Sequence, residues 1–282
     1  MHATLAALRH RAGPLLVLLV MSTGSGAAQV ALAPTALFID PQSHFGTFLV
    51  ANRGDQIQEV SVDFAFGYPS ADSTGRAFME YGDSEAAARY SIAGWLRGFP
   101  RAFTLAPGQR QVVRLQMRPP PGLADGMYWA RIKVTSTPQT PLAAPQTADA
   151  VSTHLAYRFE QVIAAFYKKG DPGTGLDVRD VQIAAEGDDA VARVHVARTG
   201  DAPFLGTVVL ALYDAQGHRV REAAVMTSVY FDTVEQVRLP IEGLPAGPYT
   251  AEVRFESRRR DIPGSDLVQM APVAQRLPFT LR

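Results

Sequence analysis

An all-β protein of two tandem immunoglobulin-like β-sandwich domains is the fold that this sequence predicts. Short runs in which apolar and polar residues alternate recur between clusters of Gly, Pro, Asp and Asn, and no long helical period is present. Three blocks of the first half return in the same order in the second: Val50-Ala51-Asn52-Arg53-Gly54-Asp55 as Val196-Ala197-Arg198-Thr199-Gly200-Asp201, Val113-Arg114-Leu115 as Val237-Arg238-Leu239, and Gly126-Met127-Tyr128-Trp129-Ala130 as Gly247-Pro248-Tyr249-Thr250-Ala251. In the last pair, Tyr128 and Tyr249 each stand two residues before a small Ala, the place of a tyrosine corner in such sandwiches.

Residues 1–28 stand apart from that fold. Arg9 and Arg11 precede an apolar run from Leu15 to Met21, and small residues follow through Gly24, Ser25, Gly26, Ala27 and Ala28. This is the order of a secretory signal peptide, with cleavage expected after Ala28. The apolar run is far shorter than the roughly 20 residues that span a bilayer, so no stable membrane anchor is expected. Removing 28 residues from 282 leaves 254, enough for two domains of ordinary size. The predicted boundaries are 29–169 for the first, 170–175 for a Gly/Pro-rich hinge and 176–282 for the second. Formal charge is zero for the whole chain, which gives no reason to expect nucleic acid or a polybasic membrane contact. Cysteine is absent, and domains of this size can bury a core without disulfides.

Strands are expected at Thr35 to Ile39, Phe45 to Asn52 and Gln56 to Phe66, where Val60, Val62, Phe64 and Phe66 alternate with Ser61, Asp63 and Ala65. Residues 67–92 break the rhythm and read as an inserted loop with one helical turn from Glu85 to Arg89. Strand signals resume from Ile92 to Leu105 around Trp95, a core candidate. After the turn at Pro107-Gly108-Gln109, Val113, Leu115 and Met117 alternate with Arg114, Gln116 and Arg118. A strand from Tyr128 to Val134 precedes a Pro/Ala/Thr segment, Thr137 to Ala150, too poor in core formers to pack. In the second half, Val191 to Val196, Gly206 to Tyr213, Ala224 to Phe231 and Tyr249 to Phe255 are strands, with Asp188 and Asp189 in a hairpin turn.

The stretch Leu155 to Lys169 carries the functional expectation. Leu155, Tyr157 and Phe159 fall on one side of a strand, opposite Ala156, Arg158 and Glu160, and from Val162 to Tyr167 both sides turn apolar. Such a ribbon is either ordinary core or an edge offered to a partner's sheet. No catalytic constellation accompanies it. The histidines are scattered, and neither a phosphate-cradling Gly loop nor a Gly-x-Ser-x-Gly elbow is present. No cofactor, metal or enzymatic activity is expected. Arg258, Arg259 and Arg260, beside Asp261, read as a solvated strand end.

Several stretches resemble the periplasmic pilus-assembly chaperones of the chaperone-usher pathway: Ala33-Pro34-Thr35 with the apolar strand after it, Val50-Ala51-Asn52, Leu105-Ala106-Pro107-Gly108-Gln109 leading to Val113-Arg114-Leu115, and Phe166-Tyr167 before the hinge. The resemblance covers most of residues 30–169. It implies an L-shaped pair of domains, a periplasmic location, a pilin-like or fibre subunit as partner and an outer-membrane usher as a further one. It also implies that the last strand of the first domain is lent to a subunit lacking a strand. Leu155, Tyr157, Phe159 and Ile163 would be the donated side chains. The family's carboxylate-holding Arg and Lys fall at Ala36 and Ala164 here, a departure that leaves Lys168 and Lys169 as candidate carboxylate contacts. The alternative is an exported two-sandwich protein that binds a carbohydrate or protein ligand through loops such as 67–92. A third reading is an enzyme with a site between the domains.

Overall fold

A computed structural model describes residues 29–139 and 157–282. The leader, Leu155 and the greater part of the Pro/Ala/Thr segment lie outside the described residues.

The first half contains β1 (Val30–Ala33), β2 (Ala36–Ile39), β3 (Phe45–Asn52), β4 (Gln58–Ala65), β5 (Tyr68–Ala71), β6 (Ala77–Glu80), α1 (Ser84–Tyr90), β7 (Leu96–Phe99), β8 (Ala102–Leu105), β9 (Arg110–Met117), β10 (Gly126–Pro138) and β11 (Phe159–Lys169). One sheet has the order β1-β3-β9-β7 and the facing sheet β2-β11-β10-β4-β8. The alternation on β9 places Val113, Leu115 and Met117 in the core between the sheets, while Arg114 and Gln116 face out. Trp95 packs partly buried against that core, in the short 3-10 turn Ala93–Trp95.

The second half contains β12 (Thr174–Glu186), β13 (Asp189–Gly200), β14 (Phe204–Tyr213), β15 (Arg219–Val229), β16 (Thr233–Pro240), β17 (Gly247–Glu256) and β18 (Val273–Leu281), in sheets ordered β12-β13-β16 and β15-β14-β17-β18. The sheets of the two halves share no strand. Asp188 lies in the β12–β13 turn, and Asp189 opens β13.

The internal repeat is a repeat of structure. The first echo ends β3 and β13, and the second lies in β9 and β16, the strands paired with them. The third opens β10 and β17, where both tyrosine hydroxyls donate to a carbonyl four residues upstream: Tyr128 to Ala124 at 2.9 Å and Tyr249 to Pro245 at 2.7 Å. Ala130 and Ala251, two residues on, are buried.

Residues 67–92 depart from the expected loop. They form the β5–β6 hairpin, a two-stranded sheet of its own, followed by the two-turn helix α1. Four-residue strands are too short to show a readable period. The helix starts at Asp83, whose Oδ1 accepts from the Ala86 amide at 2.8 Å while Oδ2 accepts from the Tyr68 hydroxyl at 2.7 Å. Those bonds hold the Asp83 carboxyl below its ordinary pKa. Asp83→Ala, which removes the N-cap acceptor, is expected to lower stability, as read from a lower denaturant midpoint at unchanged slope.

Strand β10 is buried on both faces because each meets a different partner. Tyr128, Ala130, Ile132 and Val134 enter the sandwich core. Met127 and Trp129 face the second half, in a cluster with Phe66, Tyr68, Leu205 and Tyr230. Trp129 is fully buried, its ring stacked on Tyr90 at 4.8 Å and edge-on to Tyr230 at 4.9 Å. Aromatic packing of this kind holds the two halves as one unit.

Candidate functional site

The site follows from how β11 is paired. Along its whole length one flank bonds to antiparallel β10. Its other flank meets β2, in parallel, only from Ala164 to Tyr167. Pro34, without an amide hydrogen, ends the ladder of β1, and the chain then crosses to the other sheet as β2. From Phe159 to Ile163 the second flank of β11 therefore has no hydrogen-bonded strand among the described residues. Near it, Gln161 Nε2 donates to the Val30 carbonyl at 2.7 Å.

Tyr157 and Phe159 stand at the open end of this strand, 44% and 39% exposed, with their rings edge to face at 5.1 Å. Val162, on the opposite face, is also exposed. Ile163 corrects an expectation. It is 1% exposed and packs inside its own sandwich with Ala165 and Tyr167, because β11 passes under the core as soon as it meets β2. It has no free surface to lend. Ile163→Val is expected to cost about 1 kcal/mol in stability, the usual loss for a buried methylene, and to leave partner capture unchanged. Parallel measurements of unfolding and binding separate the two effects.

Lys168 and Lys169 lie at the other end of β11, opposite Met127 and Gly126. Four and five residues beyond Ala164, they are about 13 and 17 Å along the strand from the Ala36–Ala164 pair. Lys169 donates to the Leu123 carbonyl of its own domain.

Ala36 and Ala164 are direct partners in the β2–β11 ladder, so the two positions do come together. They line a cavity of about 210 Å³ with Arg131, Phe166, Tyr230 and Arg259. Arg131, on β10, is the register partner of Ala164 and only 5% exposed. Its Nε donates to the Gly67 carbonyl at 2.9 Å, and the guanidinium lies over the Tyr230 ring at 5.2 Å. Its buried Nη2 has no hydrogen-bond partner, and no carboxylate pairs with it among the described residues. Arg259 differs: both Asp261 oxygens accept from it, at 2.8 and 2.6 Å, which also lowers the Asp261 pKa. The Arg259–Asp261 pair is neutral, so Arg131 brings the cavity its uncompensated positive charge. Burial raises the Tyr230 hydroxyl pKa, with Arg131 opposing, which keeps Tyr230 a neutral neighbour.

Arg131 was open to detection in Met127-Tyr128-Trp129-Ala130-Arg131-Ile132: a charge inside an otherwise apolar run is either a strand's wet face or a buried site. What the pattern hides is that the face away from the sandwich core is covered by the second half.

No protein-family model matches this chain, and no curated protein matches it. Among solved structures it is similar to the YadV chaperone, at 15% identity and a TM-score of 0.45 over 88% of this chain and 100% of that one. It is also similar to the E. coli chaperone DraB, at 16% identity and a TM-score of 0.42 over 90% and 96%. A third likeness is to a Salmonella enterica SafA pilin in complex with the SafB chaperone, at 12% identity and a TM-score of 0.40 over 88% and 96%.

Proposed function

We propose that this chain is a non-enzymatic assembly chaperone for pilus-like or surface-fibre subunits, working in the periplasm after export, and that it lends the open flank of β11 to a subunit lacking a strand. The observation that carries this reading is the second flank of Phe159 to Ile163, which has no strand partner among the described residues, with exposed Tyr157, Phe159 and Val162 beside it. An exposed edge with apolar side chains invites pairing, and nothing in the described part of this edge blunts it with a Pro or a bulge. A subunit missing a strand has the complementary defect: an apolar groove and unpaired backbone groups. Backbone pairing along the open flank satisfies the second, and the rings of Tyr157 and Phe159 cover the first. Leu155 would continue the same face.

Arg131 takes the anchoring role in this reading. The side chains at Ala36 and Ala164 are too short and apolar to hold a carboxylate, while Arg131, whose buried Nη2 has no hydrogen-bond partner, lines the same cavity. A subunit's terminal carboxylate placed there would compensate a buried cation. Co-expression with a candidate pilin-like subunit tests the function: the expected result is a soluble one-to-one complex from a subunit that aggregates alone. Aggregation that persists in the chaperone's presence, across subunits encoded beside it, would end the proposal.

A further inference from the structure

The start of β1 holds a feature that strand lending does not use. Gln29, directly before β1 and half-buried, is seated by three neighbours. Its carbonyl accepts from the Arg53 amide at 2.6 Å. Its side chain lies on Gly54, where an added Cβ would stand 2.9 Å from both Cβ and Cγ of Gln29, so glycine makes room for it. Its Oε1 accepts from Nε2 of Gln58, a residue only 1% exposed. The Oε1 of that same Gln58 amide is buried with no hydrogen-bond partner among the described residues. A buried acceptor left open is a cost that folded chains normally avoid.

Gln29 is also the residue that cleavage after Ala28 makes the new N-terminus. An N-terminal glutamine carries its own electrophile, because the freed α-amine reaches the side-chain Cδ through a five-membered ring. Near neutral pH part of that amine is unprotonated. It adds to Cδ, forming the N–Cδ bond, and the Cδ–Nε2 bond then breaks. The departing nitrogen takes a proton from the attacking amine and leaves as ammonia, so no oxidant or reductant is needed. The seat favours this step. Gln58 Nε2 donates to the oxygen on which negative charge develops as the amine adds, which is the arrangement of an oxyanion hole.

The product suits the seat better than the reactant does. A five-membered lactam is a cis amide, so its N–H and C=O point the same way. With its carbonyl, the former Oε1, still accepting from Gln58 Nε2, its N–H faces Gln58 Oε1, and the two amides pair along both edges. We infer that Gln29 is a modification site: after leader removal it cyclises to pyroglutamate, and the lactam closes a pair of hydrogen bonds with buried Gln58. The inference rests on the predicted cleavage after Ala28 and is independent of strand lending. Its consequence is an uncharged, anchored N-terminus at the head of β1, whose first residue, Val30, accepts at its carbonyl from the Gln161 side chain of β11.

Mass spectrometry of the chain exported with its own leader, on the intact protein and its N-terminal peptide, reads cleavage and cyclisation separately. The expected species begins at residue 29, is lighter than the free-amine form by one ammonia and is blocked to N-terminal sequencing. A mature chain that begins at Gln29 with a free amine would overturn the inference; one that begins elsewhere would overturn it by removing the cleavage on which it rests. The part played by the fold is read from rates. Gln29 is exposed in vitro by cutting a fused tag from the folded mature chain, and ammonia release is followed. The folded chain should cyclise about tenfold or more faster than the same chain in denaturant, and Gln58→Leu, with neither donor nor acceptor, should drop to the unfolded rate. The cyclised parent should also unfold at a higher denaturant midpoint than the freshly exposed one. A folded parent no faster than the unfolded one overturns the assistance by the seat and needs no variant to fold. Gln58→Leu that keeps the native circular-dichroism signal and the parent's rate overturns the role of Gln58.

Discussion

Phe159→Asp is expected to abolish subunit capture while the free protein unfolds at an almost unchanged denaturant midpoint. Phe159 is 39% exposed, and the contact it would lose is one edge-to-face pairing with Tyr157. Such a pairing is worth about 0.5–1.5 kcal/mol when well buried, so about 1 kcal/mol is the ceiling for the free protein. The complex is affected far more. A ring filling an apolar groove at the centre of an interface contributes about 2 kcal/mol or more. A carboxylate in its place enters that groove unpaired, adding a desolvation penalty of several kcal/mol. Together these exceed a factor of about 100 in the dissociation constant. Ile163→Asp is the contrasting variant: it buries a charge in the sandwich core and should unfold the protein outright. Should Phe159→Asp behave like Ile163→Asp, with loss of the native circular-dichroism signal, the ribbon is core and has no strand to lend.

The contrast between Phe159 and Ile163 also shows where sequence reading stops. Both lie on one face of one strand, and alternation alone makes them equivalent. They differ because β2 closes the second flank of β11 only from Ala164 onward, a long-range pairing between residues more than a hundred positions apart. The all-β class, the repeated halves and the tyrosine corners were legible, because each is written in local period and turn chemistry. The hairpin of residues 68–80 was not, since its strands are short and its partners, Arg193, Phe231 and Gln236, belong to the other half of the chain. The same limit hid the Arg131 site. Ala36 and Ala164 could be placed by resemblance, yet the charge beside them lies one strand over, in a cavity whose far wall is Tyr230, Arg259 and Ile262.

Arg131→Met is expected to separate stability from recognition most sharply. In the free protein Arg131 is a buried cation with one backbone acceptor, an aromatic face and, among the described residues, no carboxylate. Replacing a buried charge by an apolar side chain of similar length is often neutral or stabilising by about 1–4 kcal/mol. The Gly67 carbonyl loses its donor, which offsets about 1 kcal/mol of that gain. The free variant should therefore be as stable as the parent, or up to about 3 kcal/mol more stable. Recognition moves the other way. Losing one partner of a buried, hydrogen-bonded charge pair costs about 2–5 kcal/mol, or roughly 30-fold to several thousand-fold in affinity. The readout is a pair of peptides matched to the strand-pairing sequence of a captured subunit, one with a free terminal carboxylate and one amidated. The parent should prefer the free acid, Arg131→Met should bind both at the weaker level, and Arg131→Lys should lie between, because it keeps the charge but loses the planar fork. Arg131→Met that is destabilised yet keeps the free-acid preference would mean that the guanidinium is structural and the carboxylate is held elsewhere.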